Sequence, residues 1–504
     1  MRLTFDLHQL DVFLLLGSLV TLVAILAVRV TAGAGLPSLL VYLFIGVALG
    51  DGGLGIAFDD AELAHALGFA ALVLILAEGG FTTRWLEIRP VIRLGAMLAT
   101  VGVLVSVAVV AVSAHYLLGF SWQLAILLGA VCSPTDAAAV FSVLRVVPLP
   151  RRLSATLEAE SGLNDAPTVV LVTLVASGAF AEDGPAVVAA IIGYELVGGA
   201  LLGFAVGYAG AWLMRRVALP APGLYPLAIL SLAIAAYGAG AAAHASGFAA
   251  VYVATLVLGN SDLPHRGATR SFMEGIGWLA QIGLFVMLGL LLAPERIDLG
   301  VIGLALAAGL LLTVVARPVS VLVSAAAQPM PPKELAFVSW AGLRGAVPIV
   351  LTTIPLAEGV AGAEELFDVV FVMVVVFTLV TGPTLPTVAR WLGLAERHDE
   401  SELEIETAPL ERVAADMLHV RIGPHSRMHG VEVGELRMPE GASVALVIRG
   451  EETLVPEPRT VLQHGDNLLV VTPKRVRART HRRLNEVSRG GRLARWLEGS
   501  SGGD

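Results

Sequence analysis

Charge is scarce in this 504-residue sequence: Asp, Glu, Lys and Arg together make up only 15%. Soluble domains run near a quarter charged, so an ordinary water-soluble globular chain is excluded. Cysteine is nearly absent, and the lone Cys132 rules out an intramolecular disulfide. Aromatic residues reach only 6%. No Gly-x-x-x-x-Gly-Lys-Ser/Thr loop occurs, so ATP-driven pumping has no support. The first apolar run is long for a signal peptide and lacks an obvious cleavage site, so it reads as a retained helix. The net charge of -9 says little about partners, since the outer loops and an acidic tail segment hold much of it. Nothing points to nucleic acid.

What is abundant is apolar surface and glycine. Hydrophobic residues make up 56% of the chain, mean hydropathy is +0.79, and there are 54 glycines. This is the composition of a polytopic membrane protein whose helices pack closely through small residues. Thirteen apolar segments of spanning or near-spanning length follow in order: 9–28, 36–50, 63–77, 91–114, 122–144, 153–179, 185–213, 224–243, 246–259, 272–292, 299–325, 335–356 and 367–391.

Basic residues are almost missing from every second loop. Loops after odd-numbered segments hold Arg29, then Arg84, Arg89 and Arg93, then Arg145, Arg151 and Arg152, then Arg215 and Arg216, Arg266 and Arg270, and Arg317 with Lys333. Loops after even-numbered segments hold only Arg296, beside Asp51, Asp59, Asp60, Glu182, Asp183, Glu364, Glu365 and Asp368. The positive-inside rule places the odd loops and the C-terminus in the cytoplasm and the N-terminus outside. The location is then the inner (plasma) membrane, in contact with lipid.

Thirteen segments leave room for two six-helix halves around a linking seventh, related as inverted repeats. The fifth segment of the first half contains Ser133-Pro134-Thr135-Asp136; that of the second contains Gly342-Leu343-Arg344-Gly345-Ala346-Val347-Pro348. Each has a charge beside a helix break, made by Pro134 in one and by Gly345 and Pro348 in the other. Interrupted helices at matching positions of two halves are the best sequence pointer to a transporter's substrate site.

The chemistry gathers between residues 133 and 165. A carboxylate at membrane depth is costly, so intramembrane acids mark ion or proton pathways. On a helix through Glu160-Ser161-Gly162-Leu163-Asn164-Asp165, Glu160 and Asn164 lie four apart, as do Ser161 and Asp165. Their oxygens suit a hard alkali cation, and free carbonyls at the Thr135 break could add ligands. Asp165 is the group for which a proton and a cation compete. Glu160 is expected to pair with Arg344, because an unpaired guanidinium at that depth would be very costly. Asp136 either lines the site or screens the opposed helix ends.

These three motifs resemble the signature segments of NhaP-type cation:proton antiporters over roughly residues 9 to 391. The resemblance implies a homodimer of thirteen-helix protomers, with a six-helix core bundle moving against an interface domain. It implies ion and proton binding at Asp165, with Thr135, Ser161 and an acid on the third helix as ligands. That acid is Glu78, in Leu76-Ala77-Glu78-Gly79-Gly80. The Asn164-Asp165 pair, where electrogenic relatives have Asp-Asp, implies one proton per monovalent cation. The alanine run after Asp136 departs from the commoner form of that segment and leaves K⁺ against Na⁺ open.

After residue 394 comes a charged linker, Glu396-Arg397-His398-Asp399-Glu400-Ser401-Glu402. Residues 412–476 read as a small α/β module, with strand-like Leu418–Ile422, Ser443–Ile448 and Asn467–Val471 between turns. Pro439-Glu440-Gly441-Ala442-Ser443 and His464-Gly465-Asp466-Asn467-Leu468 resemble the TrkA C-terminal (RCK-C) domain. That resemblance implies either a regulatory ligand such as a nucleotide or a dimerising module without one. The basic stretch after Lys474 reads as a disordered or lipid-associated tail.

The expectation is an all-α polytopic membrane protein of about thirteen transmembrane helices with inverted repeats and interrupted helices, plus a small cytoplasmic α/β domain. Its parts are a membrane domain (1–393), a linker (394–411), the module (412–476) and a tail (477–504). It is a secondary transporter without a cofactor rather than an enzyme, exchanging K⁺ for H⁺ electroneutrally. The alternatives are Na⁺(Li⁺)/H⁺ exchange and an RCK-controlled K⁺ efflux channel. A channel filter would use repeated carbonyl rings rather than a titratable acid.

Overall fold

The computed structural model describes residues 7–34, 38–50, 53–56, 58, 60–136, 140, 149–179, 184–326, 328–395, 404–410, 415–450 and 452–491. Asp51, Asp59, Arg145, the alanines at 137–139, Glu182, Asp183, residues 396–403 and the tail after 491 lie outside the described residues. The chain divides into two compact units, Met1–Glu396 and Arg397–Asp504.

Among the described residues, every apolar segment identified in the sequence is helical over all or part of its length. The helices are α1 (Leu7–Ala34), α2 (Ser38–Leu49), α3 (Ala61–Thr82), α4 (Trp85–Leu118), α5 (Trp122–Cys132), α6 (Arg151–Ala176) and α7 (Pro185–Arg216). They continue as α8 (Leu224–Ala242), α9 (Gly247–Gly259), α10 (Arg266–Leu290), α11 (Leu299–Ser324), α12 (Pro332–Trp340), α13 (Ala346–Ala357) and α14 (Ala363–Trp391). Among the described residues, seven helices are long and apolar enough to cross a membrane unaided: α3, α4, α7, α8, α10, α11 and α14. Several helices start on a side-chain cap. Asp60, Ser121, Ser246 and Asp298 each accept the backbone N–H three residues on, at 2.9, 3.3, 3.3 and 2.8 Å.

The two halves mirror each other in their irregularities. Their fourth helices, α4 and α11, each contain one π-helical turn, at Leu98–Gly102 and Leu312–Ala316. Their fifth segments are both broken, after Cys132 and between Trp340 and Ala346. Within the unit, α7 packs on α9 through Gly199, Gly203 and Gly207. A Cβ on Gly203 would lie 2.8 Å from Ala250 Cα, and one on Gly207 2.8 Å from Ala254 O. This is the close approach that glycines spaced by four permit. His115 is a packed residue: its Nδ1 lies 2.8 Å from Phe120 O and its ring stacks on Trp122.

The second unit is a five-stranded antiparallel sheet in the order β1-β2-β5-β3-β4. Its strands are β1 (Glu404–Leu410), β2 (Ala415–Arg421), β3 (Ser443–Arg449), β4 (Glu452–Leu454) and β5 (Asn467–Pro473). The sequence-based bounds need two corrections. β1 falls within the expected linker, pairing in full register with β2 from Glu404↔Arg421 to Leu410↔Ala415. Its acidic residues hid an edge strand whose backbone pairing does not depend on apolar side chains.

The expected tail instead folds, from Arg477 to Gly490, into helix α15. The arginines cover one face, while Thr480, Leu484, Val487 and Ser488 are buried, with Leu484 and Val487 in the same core as Leu418, Val420, Leu468 and Val470. The 3.6-residue apolar period, not the basic charge, decided the outcome. The sheet's main turn is locked by Asp466, which accepts two bonds from Arg449 at 2.9 Å and one from Gln463 N at 2.8 Å. The bonded carboxylate raises the Arg449 pKa above its usual value.

Candidate functional site

The two broken segments meet. Where α5 ends, Ser133 through Asp136 leave the helix, and the hydroxyl of Ser133 satisfies Gly129 O at 2.6 Å. Where α12 ends, Ala341 through Gly345 cross that stretch. Asp136 N donates to Leu343 O at 3.0 Å, and Arg344 Nη1 donates to Pro134 O at 2.9 Å. Gly345 is needed here, since a Cβ on it would lie 2.8 Å from Asp136 Cγ.

The charges therefore sit with the helix ends that they suit. The Asp136 carboxylate lies against the N-terminal end of α13, and the guanidinium of Arg344 lies beside the C-terminal end of α5. Both readings of Asp136 remain physically sensible, because it also lines the cavity described next.

A cavity of about 120 Å³ opens beside the crossing, lined among others by Glu78, Thr135, Asp136, Glu158, Ser161 and Asp165. Asp165 Oδ1 is buried and has no hydrogen-bond partner among the described residues. A carboxylate oxygen in that position is costly unless a proton or cation takes the place of water. The hydroxyls of Thr135 and Ser161 and the carboxyl of Glu78 line the same cavity, so five of the six residues expected to bind the ion are together.

Asn164 sits differently. It is fully buried behind the cavity wall, and its Nδ2 donates to Thr135 Oγ1 at 3.1 Å. Its structural effect is to fix the hydroxyl of Thr135, a ligand candidate, rather than to face the cavity.

The expected Glu160–Arg344 pair does not form. Glu160 is gripped by Arg317, whose Nη1 bonds Oε1 and whose Nη2 donates to Oε2 at 2.8 Å. Side-chain exposures of 5% and 2% make this a buried ion pair. Arg344 is occupied with the carbonyl of Pro134 instead. The reason is position: Arg317 follows the π turn of α11, on a buried helical face, and is not the loop residue that the charge alternation assumed.

Two further cavity residues escaped sequence reasoning. Glu158 lies seven residues before Asp165 on α6, the repeat that returns to one helix face, and that spacing was the available signal. Tyr252 comes from α9. Its hydroxyl is buried without a hydrogen-bond partner among the described residues, and a Cβ on Gly162 would lie 2.8 Å from its ring carbon Cε2. Glu274 pairs with Arg270 at 2.9 Å. Glu195 lines a separate cavity of about 180 Å³ with Tyr237 and Ser246.

The sodium/hydrogen exchanger transmembrane family matches residues 17–391. The chain belongs to that family. The exchanger's second unit matches the TrkA-C domain over residues 417–485. It is 35% identical over 489 residues to the K(+)/H(+) antiporter NhaP2 of Shewanella oneidensis, covering 92% of this chain and 82% of that one. It is 35% identical over 475 residues to the K(+)/H(+) antiporter NhaP of Alkalimonas amylolytica, with the same coverage. The Na(+)/H(+) antiporter ApNhaP of Aphanothece halophytica is 28% identical over 414 residues, covering 75% and 76% of the two chains.

Among solved structures, the sodium proton antiporter MjNhaP1 of Methanocaldococcus jannaschii superimposes with a TM-score of 0.66. It covers 77% of this chain and 100% of that one at 20% identity, so it bears on the exchanger's fold alone. The membrane-spanning fold and the exchanger family expected from the sequence are thus correct. The chain is a transporter rather than a catalytic enzyme.

Proposed function

We propose that this exchanger moves K⁺ out of the cytoplasm against H⁺, one for one, as a secondary active transporter of the inner membrane. The observation that carries the reading is the unpartnered Asp165 oxygen facing a cavity with the hydroxyls of Thr135 and Ser161. A lone buried carboxylate is held neutral by a proton or compensated by an alkali cation, and the two compete for it. Glu160 is neutralised by Arg317 and Asn164 is uncharged, so within the Glu160–Asp165 motif Asp165 is the exchangeable charge, which supports electroneutral exchange. Metal binding here means the transported ion, at Asp165, Ser161 and Thr135, with Glu78 and Asp136 adding oxygens.

Potassium is favoured over sodium by the relatives. Those named for K⁺ cover 92% of the chain, whereas the Na⁺-named relative covers 75% at lower identity. The loop charges support an outer N-terminus and a cytoplasmic TrkA-C domain, on which a nucleotide is the regulatory ligand to test. A homodimer is part of the same reading, with the lipid-facing row of Tyr194, Leu201, Phe204 and Tyr208 on α7 available as apolar contact surface.

The test is dissipation of a pH gradient in proteoliposomes holding the purified chain, with K⁺, Na⁺ and Li⁺ added separately and the membrane potential clamped. Collapse with K⁺ that Asp165→Asn abolishes is the expected result. A response to Na⁺ alone overturns the selectivity. K⁺ flux without proton movement overturns exchange itself and favours a channel.

A further inference from the structure

The first unit contains two helix groups with a seam between them. In one, α2 and α3 pack on α10, and α3, α7 and α8 pack on α9. In the other, α5, α6, α11, α13 and α14 pack around the crossed breaks. The Asp165 cavity lies in this seam and extends toward Thr83 at the C-terminal end of α3. The seam's opposite end is closed, and the closure has a specific chemistry.

There, near the N-terminus of α3, His65 Nδ1 lies 3.1 Å from Thr353 Oγ1 on α13. The single hydroxyl hydrogen of Thr353 is already committed to Val350 O, 2.6 Å away. With that bond made, Thr353 Oγ1 is the acceptor and His65 Nδ1 the donor. The bond joins an α3 side chain to one on the half-helix that begins at the ion site.

Packing supports the contact on both sides. The imidazole of His65 lies 4.2 Å from the ring of Phe69, which meets Phe248 edge-on at 5.1 Å. One turn from His65, Gly68 lets α3 approach α13 closely, since a Cβ there would lie 3.1 Å from Val350 Cγ1. His65 is about 20 Å along α3 from Glu78, by the 1.5 Å rise per residue. It does not line the ion cavity, so it is a positioning residue rather than an ion ligand.

We infer that His65 and Thr353 form a latch that holds the two helix groups shut at the end opposite the cavity and must part for Asp165 to face the other side. The inference rests on the exchange reading above. In the orientation proposed there, the latch is on the outer side. Losing it lowers the cost of the outward-open state without touching the ion ligands. A net side-chain hydrogen bond is worth roughly fivefold in an equilibrium.

The test is a labelling rate. Ile354, beside the latch on α13, is 3% exposed. In an Ile354→Cys chain, an impermeant maleimide reaches the new thiol only while the seam is open. The blank is the chain without it, in which Cys132 is 1% exposed. Labelling of right-side-out vesicles is compared for Ile354→Cys alone and with Thr353→Val, Thr353→Ser or His65→Ala. Thr353→Val should raise the rate about fivefold, and Thr353→Ser, which keeps an acceptor oxygen, should restore it. His65→Ala should match Thr353→Val if it folds; Thr353→Val carries the test if it does not. Equal rates for Val and Ser, or no rise with Val, overturn the latch. Labelling needs no transported ion, so the latch can fail while proton exchange persists, and exchange can fail while labelling responds.

Discussion

Removing Arg317 should damage this protein more than removing Arg344, although both guanidiniums are at membrane depth. Glu160 and Arg317 are both nearly inaccessible, and their two hydrogen bonds give each carboxylate oxygen a partner. Arg317→Ala leaves a charged oxygen pair in an apolar bundle, a loss of about 3–5 kcal/mol by comparison with broken buried pairs. Arg344→Ala forfeits one charge-assisted bond to Pro134 O, a loss of about 1.5–3 kcal/mol. A combined Glu160→Leu, Arg317→Met chain should regain most of the first loss, because a volume-matched apolar pair leaves no charge uncompensated. The assay is the fraction of detergent-solubilised protein that stays monodisperse by size exclusion after heating over a temperature series. The expected order of midpoints is wild type, then the double variant, then Arg344→Ala, with Arg317→Ala lowest. If Arg344→Ala were lowest and a Glu160→Leu change rescued it, Arg344 would be the partner of Glu160 and the assignment would be wrong.

Other consequences are simpler to check. Asp165→Asn keeps the size and polarity of a side chain whose Oδ1 has no partner among the described residues, so the chain should fold normally and lose proton-coupled flux. Gly345→Ala puts a methyl against the Asp136 carboxylate at the crossing and should lower transport at least tenfold with little loss of expressed protein. That is read by initial rates in vesicles. Ending the chain after Val476 removes Leu484 and Val487 from the core of the second unit. Limited proteolysis of the full-length and shortened chains should then show the 415–473 region digested several times faster in the latter. Asp466→Ala removes three hydrogen bonds from one buried carboxylate and should loosen the same region, by about 2–4 kcal/mol. Hydrogen exchange at β3 and β5 measures it.

How much could be read from the sequence depended on range. Helices were legible because a twenty-residue apolar run has few alternatives in a membrane. The breaks were legible because Pro134 and Gly345 announce themselves locally, and their crossing followed from their matching positions in two halves. What escaped was whatever depended on a third element. The partner of Glu160 is 157 residues away on α11, and the charge alternation counts Arg317 with the following loop although it lies inside the apolar run 299–325. Glu158 and Tyr252 reach the cavity only because α6 and α9 are brought to it by packing elsewhere.

The same limit explains the tail and points to the logic of the site. The charge of α15 suggested solvent or lipid, but Leu484 and Val487 needed a sheet to cover and found one. In the membrane unit the reverse holds: charges that local reading would pair with each other are used up by backbone. Arg344 takes Pro134 O, Asp136 takes the end of α13, and Arg317 is left to neutralise Glu160. At the crossing itself Arg344, Asp136, Arg317 and Glu160 each have a counterpart, and the Oδ1 of Asp165 has none among the described residues. An acid oxygen left uncommitted in this way is what competition between a proton and a cation requires, since a carboxylate already held by a guanidinium has no need of either.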